Sequence, residues 1–176
     1  MKDRQRKKRA SNKQTNTVAP SRFLENAISG LRHLDFQSYK NYKEFTDAGT
    51  PPKRYLIRHY PHCSLFGTPG FKEAFIHNCG VEYIFEAKYQ NIGGSVDEKV
   101  PYLFEAFLVS HVPNWIVWFD GNYWTKNSRA VAAIAWLRKR IAAADFGERQ
   151  FFICASEDEW VALVDKLFKV RRDRAA

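Results

Sequence analysis

The stretch from residue 71 to residue 99 constrains the fold most, because it holds two apolar runs of strand length joined by a tight turn. Residues 71–77 and 81–89 are the two runs, and Asn78-Cys79-Gly80 separates them. Such a spacer between strand-like runs predicts an antiparallel hairpin. A third strand-like run at residues 54–60 comes before them, so we expect three consecutive strands.

Helical patterns lie on both sides of these strands. A first helix should begin near Pro20-Ser21, because apolar residues recur there at helical spacing, namely Phe23, Ala27, Ile28, Leu31 and Leu34. Residues 38–53 are polar and contain Gly49-Thr50-Pro51-Pro52, which predicts an irregular connection. With the elements of the second half, the order is α-βββ-α-β-α-β-α, which predicts a mixed α/β fold.

The second half supplies the later elements. Ser95 and Glu98 have capping-box spacing before Pro101, so either a helix is kinked at Pro101 or a short turn precedes a helix that begins there. Residues 115–119 predict a strand buried on both faces. Residues 128–144 predict a helix, residues 150–155 a strand, and Ser156 the cap of a last helix.

Aromatic residues are predicted to serve two purposes. Four tryptophans fall on apolar stripes and are expected in the core, namely Trp115, Trp118, Trp136 and Trp160. Tyr123 and Trp124 follow a predicted strand in a polar segment beside Lys126. We therefore expect these two in a loop, as candidates for stacking on nucleic acid.

The net charge of +9 is concentrated at the two ends of the chain. Residues 1–13 hold seven basic residues against one acid, and residues 169–174 hold four against one, so residues 14–168 are formally neutral. We predict a disordered basic tail at 1–19, one domain at 20–168 and a basic tail at 169–176. Such tails attract polyanions; the alternative is that they only keep the chain soluble.

Cysteine content and hydropathy indicate the compartment. Cys63, Cys79 and Cys154 are too widely spaced for a disulfide framework or a zinc site, and we expect Cys79 and Cys154 as buried free thiols. No apolar run reaches the roughly 18 residues that span a membrane, and the charged N-terminus does not resemble a secretory signal. We therefore expect a soluble protein of the cytoplasm.

The candidate chemistry lies at the end of the third strand. Because side chains alternate along a strand, Glu86 and Lys88 should share one face, about 7 Å apart. Glu73, in the apolar run before, could join Glu86 in binding Mg²⁺, a cation that prefers oxygen ligands, while Lys88 orients a water. Glu25 on the first helix could add a ligand or base. The alternative is a surface ion pair of Glu86 with Lys88, with Glu73 and Glu25 as ordinary exposed acids.

Residues 67–103 resemble the PD-(D/E)XK nuclease superfamily, and especially its small phage- and prophage-associated members. The resemblance implies a restriction-endonuclease-like α-βββ-α-β core, a mixed sheet flanked by helices with further β and α elements after it, and DNA hydrolysis dependent on Mg²⁺ or Mn²⁺. It implies that Glu73 is the first acid, Glu86 the second and Lys88 the lysine, with Gln90 following the triplet. Residues 94–99, which end at Lys99, look like the phage-type members.

One further match and one departure complete this resemblance. Glu25 corresponds to the acid that the superfamily often carries on its first helix. The first motif departs from the usual pattern, because Lys72-Glu73 stands where a proline and an aspartate are expected.

The sequence thus predicts a Mg²⁺-dependent DNA endonuclease that cuts phosphodiester bonds, and a homodimer is plausible because two strands need two cuts. The residues expected to contact DNA are basic, namely Arg4, Arg6, Lys7, Lys8, Arg9 and Lys72. One alternative is a non-catalytic nucleic-acid-binding protein that keeps the nuclease fold. Another is a small protein whose basic tails bind RNA or an acidic protein.

Overall fold

A six-stranded mixed sheet forms the centre of the computed structural model, which describes residues 19–91 and 97–169, with side chains from residue 24 onward. The strands lie side by side in chain order, namely β1 (Gln37–Tyr39), β2 (Arg54–Cys63), β3 (Pro69–Asn78), β4 (Val81–Tyr89), β5 (Asn114–Asp120) and β6 (Gln150–Cys154). The strands β2, β3 and β4 are antiparallel neighbours, whereas β1–β2, β4–β5 and β5–β6 are parallel. The predicted α/β class and the mixed sheet are confirmed.

In the part of the chain that the structure describes, six helices cover the two faces of the sheet: α1 (Ala19–Arg32), α2 (Tyr42–Asp47), α3 (Val100–Val109), α4 (Asn122–Lys126), α5 (Ser128–Ala143) and α6 (Glu157–Val164). A 3₁₀ turn (Asp97–Lys99) precedes α3, and a π-helical turn (Asp165–Lys169) follows α6. Among the described helices, none combines the length and the apolar character needed to cross a bilayer.

Two apolar cores result, one on each face. The first core packs α3, α4 and α5 against side chains that include Ile84, Trp115 and Val117. The second core packs α1 and α6 against Ala74, Phe85 and other residues of the opposite face. Successive residues of β4, such as Ile84 and Phe85, therefore belong to different cores, as strand alternation requires. All but the last residue of β5 are buried, as the run at 115–119 predicted.

The predicted hairpin is confirmed and closes in two residues. Asn78 pairs with Val81, and Cys79 and Gly80 between them have φ angles of 51° and 90°. Positive φ at both central positions is the requirement of a type I′ turn, whose twist suits adjoining strands. Cys79 is exposed at this turn, so its predicted burial is wrong, whereas Cys154 is buried as expected.

The predicted irregular connection at residues 38–53 is wrong in part, because β1 and α2 lie there. The aromatic ring of Tyr39 contacts those of Phe45 and Tyr55, with centroids 5.4 and 6.4 Å apart. Asn41 caps α2 by accepting a hydrogen bond from the backbone of Glu44 at 2.9 Å. Tyr39 and Phe45 thus attach this mainly polar segment to the first core.

Two further expectations concern the second half. The 3₁₀ turn followed by α3 selects the alternative in which a short turn precedes the helix, and Pro101 lies in the first turn of α3, where its missing N–H is tolerated. Ser156 caps α6 as predicted. Trp115, Trp118 and Trp160 are buried as predicted, but Trp136 is 39% exposed on α5, so its predicted core position is wrong.

Candidate functional site

The site lies where β3 and β4 stop pairing with each other. Their described register runs from Asn78–Val81 to Ala74–Phe85. The next residues beyond that last pair are Glu73 and Glu86. At Glu86 and beyond, β4 continues its described pairing with β5 as far as Tyr89–Asp120, but it has no described pair with β3. The sheet therefore opens at the position where the sequence predicted the chemistry.

Glu86 is a buried carboxylate held by two lysines. It is 5% exposed, with Lys72 Nζ 2.7 Å from Oε1 and Lys88 Nζ 2.8 Å from Oε2. Burial alone would raise the pKa of Glu86, but the charges and hydrogen bonds of Lys88 and Lys72 outweigh it and lower that pKa. The group is therefore a carboxylate at neutral pH. The predicted proximity of Glu86 and Lys88 is confirmed by their contact.

Lys72 reaches Glu86 because of an irregularity between β2 and β3. Tyr60 pairs with Lys72 and Arg58 with Ala74, but the described register has no pair between them, and His59 at that level has a φ of 46°. In a regular strand, Lys72 and Ala74 would point to the same face.

Ala74 instead belongs to the second core, while Lys72 Nζ lies 4.3 Å from the ring centroid of Trp115, in the first core. An irregular strand position can redirect a neighbouring side chain, as β-bulges do. The sequence predicts Lys72 as a general DNA-binding residue, and the structure places its ammonium group against Glu86.

A cavity of about 540 Å³ opens beside Glu86. Its polar lining comprises Ser64, Lys72, Glu86, Lys88 and Lys99. Its apolar wall includes Leu65, Phe66, Tyr102, Leu103, Phe119 and Trp124. Glu86 is the one carboxylate among the described residues that line the cavity, against three lysines, so the lining is net positive and suits an anion.

Glu73 is half-buried next to the cavity and is not among the described residues that line it. Burial raises the pKa of its carboxyl, and the negative charge of Glu86 raises it further, while Lys88, His59 and Arg58 oppose the shift. The two acids thus act on each other electrostatically, but the structure gives no direct contact between them.

The three additional candidates lie in different surroundings. Lys99, at the end of the 3₁₀ turn, lines the cavity. Glu25 forms an ion pair with Arg58 at 2.6 Å. The backbone of Gln90, directly after β4, accepts a hydrogen bond from Tyr123 N of α4 at 3.1 Å. Within the described residues, neither Glu25 nor Gln90 belongs to the cavity lining.

Tyr123 and Trp124 support the site from inside the protein. They form part of α4, where they are 5% and 2% exposed, so the prediction of a loop with rings free to stack on nucleic acid is wrong. The Tyr123 hydroxyl donates to Asp97 Oδ1 at 2.7 Å and lowers the pKa of that carboxyl. Asp97 begins the turn that carries Lys99, so Tyr123 anchors this lysine; the polar surroundings of Tyr123 gave no signal of that role.

Several predicted residues lie outside the part that the structure describes. These are the basic residues Arg4, Arg6, Lys7, Lys8 and Arg9, together with Ser95 of the expected capping box. Glu98 of that box lies in the 3₁₀ turn, where its Oε1 is 3.2 Å from a nitrogen of Arg129.

The arrangement combines one buried negative charge with three lysines in the same cavity lining. A carboxylate with a lowered pKa can bind a hard cation, and the lysines around it can bind a phosphate. In the described part of the chain, no group of three or more acids, histidines or cysteines could hold a metal by itself. Any cation at Glu86 would therefore rely on water and substrate oxygens as well.

A family model described as the PD-(D/E)XK nuclease superfamily domain matches residues 22–165. No curated protein and no solved structure matches the chain. The matched range includes all six strands and nearly all of the helices α1 to α6.

Proposed function

Because the chain belongs to the PD-(D/E)XK nuclease superfamily, we propose that it is a Mg²⁺-dependent DNA endonuclease that hydrolyses phosphodiester bonds. Membership in the superfamily indicates a nuclease and hence a nucleic-acid substrate. The observation that supports the proposed site is the buried Glu86 carboxylate, 2.8 Å from Lys88 at the edge of a positively charged cavity. The phage-type subclass stays a prediction.

The residues at this position fit magnesium. Mg²⁺ keeps several waters and is commonly bound by one or two carboxylates plus substrate phosphates, rather than by a complete set of protein ligands. Glu86 supplies an ionised oxygen donor, and Glu73 is the nearby second acid. Both are oxygen ligands, which also suit Mn²⁺. When bound, the ion would lower the pKa of a water and offset charge on the scissile phosphate.

The lysines have distinct parts in this proposal. Lys72 occupies Glu86 Oε1, so that oxygen becomes available when a substrate phosphate draws the ammonium group away. Lys99 adds a third positive charge to the polar lining. Hydrolysis needs a water oxygen to attack phosphorus and the leaving oxygen to gain a proton. Lys88, on Glu86 Oε2, would orient that water and stabilise the developing negative charge.

The test is cleavage of plasmid DNA with Mg²⁺ and with EDTA, using Glu86→Gln and Lys88→Ala. Each variant should lose about 100-fold or more in rate, the scale seen when one transition-state contact is removed. Matched controls are Glu105→Gln and Lys139→Ala, which alter exposed residues that do not line the cavity. Equal rates for wild type and both site variants, with unchanged circular dichroism, would refute the assignment.

A second candidate is a nucleic-acid-binding protein without catalysis. It is favoured by one observation: both oxygens of Glu86 are engaged by lysines, while Glu73 does not line the cavity. In that case, calorimetric titration with Mg²⁺ should reveal no specific site. Glu86→Ala would then keep or increase DNA affinity, because it removes a negative charge from a positive surface.

A further inference from the structure

The cavity beside Glu86 has a second surface that phosphate chemistry does not use. Its lining includes three lysines that suit a phosphate, namely Lys72, Lys88 and Lys99. The same lining includes apolar residues, among them Phe66 and Tyr102. A site that only grips a sugar–phosphate backbone needs the cations but has no use for an apolar wall of this extent.

Phe66 and Tyr102 are unusually exposed for aromatic residues. Phe66 is 79% and Tyr102 56% exposed, and their ring centroids lie 6.5 Å apart at an interplanar angle of 65°. Leaving two large apolar rings in water is unfavourable, and exposed apolar patches of this kind mark binding sites. Aromatic rings beside lysines form the combination that binds unpaired nucleobases, since every base has a face on which to stack.

The two surfaces belong to one cavity of about 540 Å³, within the range of about 300–1,000 Å³ typical of small-molecule pockets. In a duplex, base faces are covered by their neighbours and only the edges are accessible in the grooves. A base can therefore reach Phe66 and Tyr102 only if it is unpaired or turned out of the helix, which costs least in single-stranded DNA.

We infer that this cavity accommodates one unpaired nucleotide of a DNA strand, with the base against Phe66 and Tyr102 and its phosphate among Lys72, Lys88 and Lys99. This inference rests on the proposed function, whose site it shares, and it specifies the substrate as single-stranded or locally unpaired DNA. Duplex DNA lacking unpaired bases binds more weakly because only the lysines can engage it.

Binding without cleavage tests the inference separately from catalysis. The full chain is titrated, in EDTA, with fluorescent DNA as a single strand, as a duplex, and as a duplex with one bulged nucleotide. Wild type should bind the single strand and the bulged duplex at least about 10-fold more tightly than the plain duplex. Phe66→Ala and Tyr102→Ala should each reduce that preference by about 10-fold. Phe71→Ala is the matched control, because Phe71 is 74% exposed and does not line the cavity.

A 2-aminopurine base in the single strand provides a direct readout of stacking. Its fluorescence should be quenched by wild type and by the Phe71→Ala variant but not by the Phe66→Ala and Tyr102→Ala double variant. Equal affinity of wild type for single strand and duplex would overturn the inference, as would unchanged quenching in the double variant. Tighter binding of the same sequence as RNA would overturn the assignment to DNA.

The outcomes distinguish the two proposals. If the protein shows no metal-dependent cleavage but keeps the preference for unpaired DNA and the quenching, the nuclease proposal is refuted and the nucleotide-binding cavity is supported. If cleavage depends on Glu86 but the protein shows no preference for unpaired DNA, the nuclease proposal is supported and the nucleotide-binding cavity is refuted.

Discussion

At the scale of single residues, Glu86 is the side chain whose position most needs an explanation. Two lysines keep its charge inside the protein, yet taking three charged groups out of water costs several kcal/mol per ion, and apolar residues of similar volume are often as stable or more so. The trio is therefore weak evidence for stability and better evidence for function. Its position at the divergence of β3 and β4, on the wall of a cavity, agrees with that interpretation.

His62 gives a prediction about pH. The ring is 8% exposed, and Nε2 lies 3.2 Å from the hydroxyl of Ser110, while Nδ1 faces the Cys63 carbonyl. In the neutral tautomer, Nδ1–H donates to that carbonyl and Nε2 accepts from Ser110. Burial first, and then the charges of Lys72 and His111, lower the pKa of His62, against the opposing effects of the Cys63 carbonyl and the more distant Glu86.

Because the folded-state pKa of His62 lies below its unfolded value of about 6.5, the unfolded chain binds more protons in acid. The contribution of the neutral ring to stability is therefore present above pH 6.5 and is lost as pH falls below it. Urea unfolding at pH 7.5 and 5.5 should show a smaller pH dependence for His62→Gln than for wild type. His33→Gln, at an exposed position, is the control, and equal pH dependence in all three proteins would contradict the prediction.

The sequence allowed Glu86 and Lys88 to be predicted together because β4 alternates regularly, so a spacing of two residues fixes a common face. Lys72 could not be placed in the same way. Its orientation depends on the missing pair at His59, and no pattern in residues 69–78 signals that irregularity. Glu73 lies at the same unpaired level and is not among the described residues that line the cavity, so the predicted arrangement of two acids around one ion could not be checked from strand alternation alone.

At the scale of elements, the junction after β5 determines how the cavity wall is built. Gln90 N donates to Asp120 O at 2.9 Å, and Tyr123 N donates to Gln90 O at 3.1 Å, so the end of β4 is tied to the start of α4. Gly121 between them has a φ of 100°, and a Cβ there would overlap the carbonyl group of Gln90. This glycine therefore permits the close approach that brings Trp124 into the wall.

Gly121→Ala should destabilise the protein by about 2–5 kcal/mol, combining left-handed backbone strain with overpacking. Gly49→Ala is the matched control, because Gly49 has a φ of 78° but open space around it, and it should lose only about 1–2 kcal/mol. Chemical denaturation monitored by tryptophan fluorescence measures both. Equal losses would mean that contact with Gln90 is unimportant.

Short elements at the sheet edge were beyond sequence prediction for a physical reason. The three residues of β1 and six of α2 are too few to show a period, and the packing of Tyr39 and Phe45 against Tyr55 supplies what local propensity does not. In α4, likewise, Tyr123 and Trp124 are buried by tertiary contacts, although their neighbours in sequence are polar. Long, strongly patterned elements such as α5 were predictable from the sequence alone.

At the scale of the whole molecule, most of the fold was predictable from the order of helices and strands in the sequence. Three strands, a helix, a strand and the later β and α elements were enough to predict the mixed sheet, and the matched family range of residues 22–165 agrees with that architecture. The cavity was not predictable, since its apolar wall joins Phe66, which follows β2, to Tyr102 of α3 and Trp124 of α4. Those three residues come together only when the sheet and both helices are assembled.

Positive charge is distributed unequally along the chain and is most concentrated near its N-terminus. Residues 14–168 are formally neutral, while residues 1–13 carry seven basic residues against one acid. If that segment contacts phosphates, changing Arg4, Arg6, Lys7, Lys8 and Arg9 to glutamine removes up to five contacts. The slope of log K against log salt should then become shallower by about 0.7–0.9 per lost contact, or by up to about 4.5 when all five are lost.

The measurement is DNA affinity in EDTA across a series of salt concentrations, with the full-length chain in every case. Lys40→Gln with Lys43→Gln provides a control for general charge loss, since both lysines are exposed and do not line the cavity. The control should change the slope little. The preference for unpaired over duplex DNA should survive in the five-fold variant, because counterion release is independent of sequence and the discrimination is assigned to the cavity. An unchanged slope in that variant would show that the basic segment does not contact the phosphate backbone.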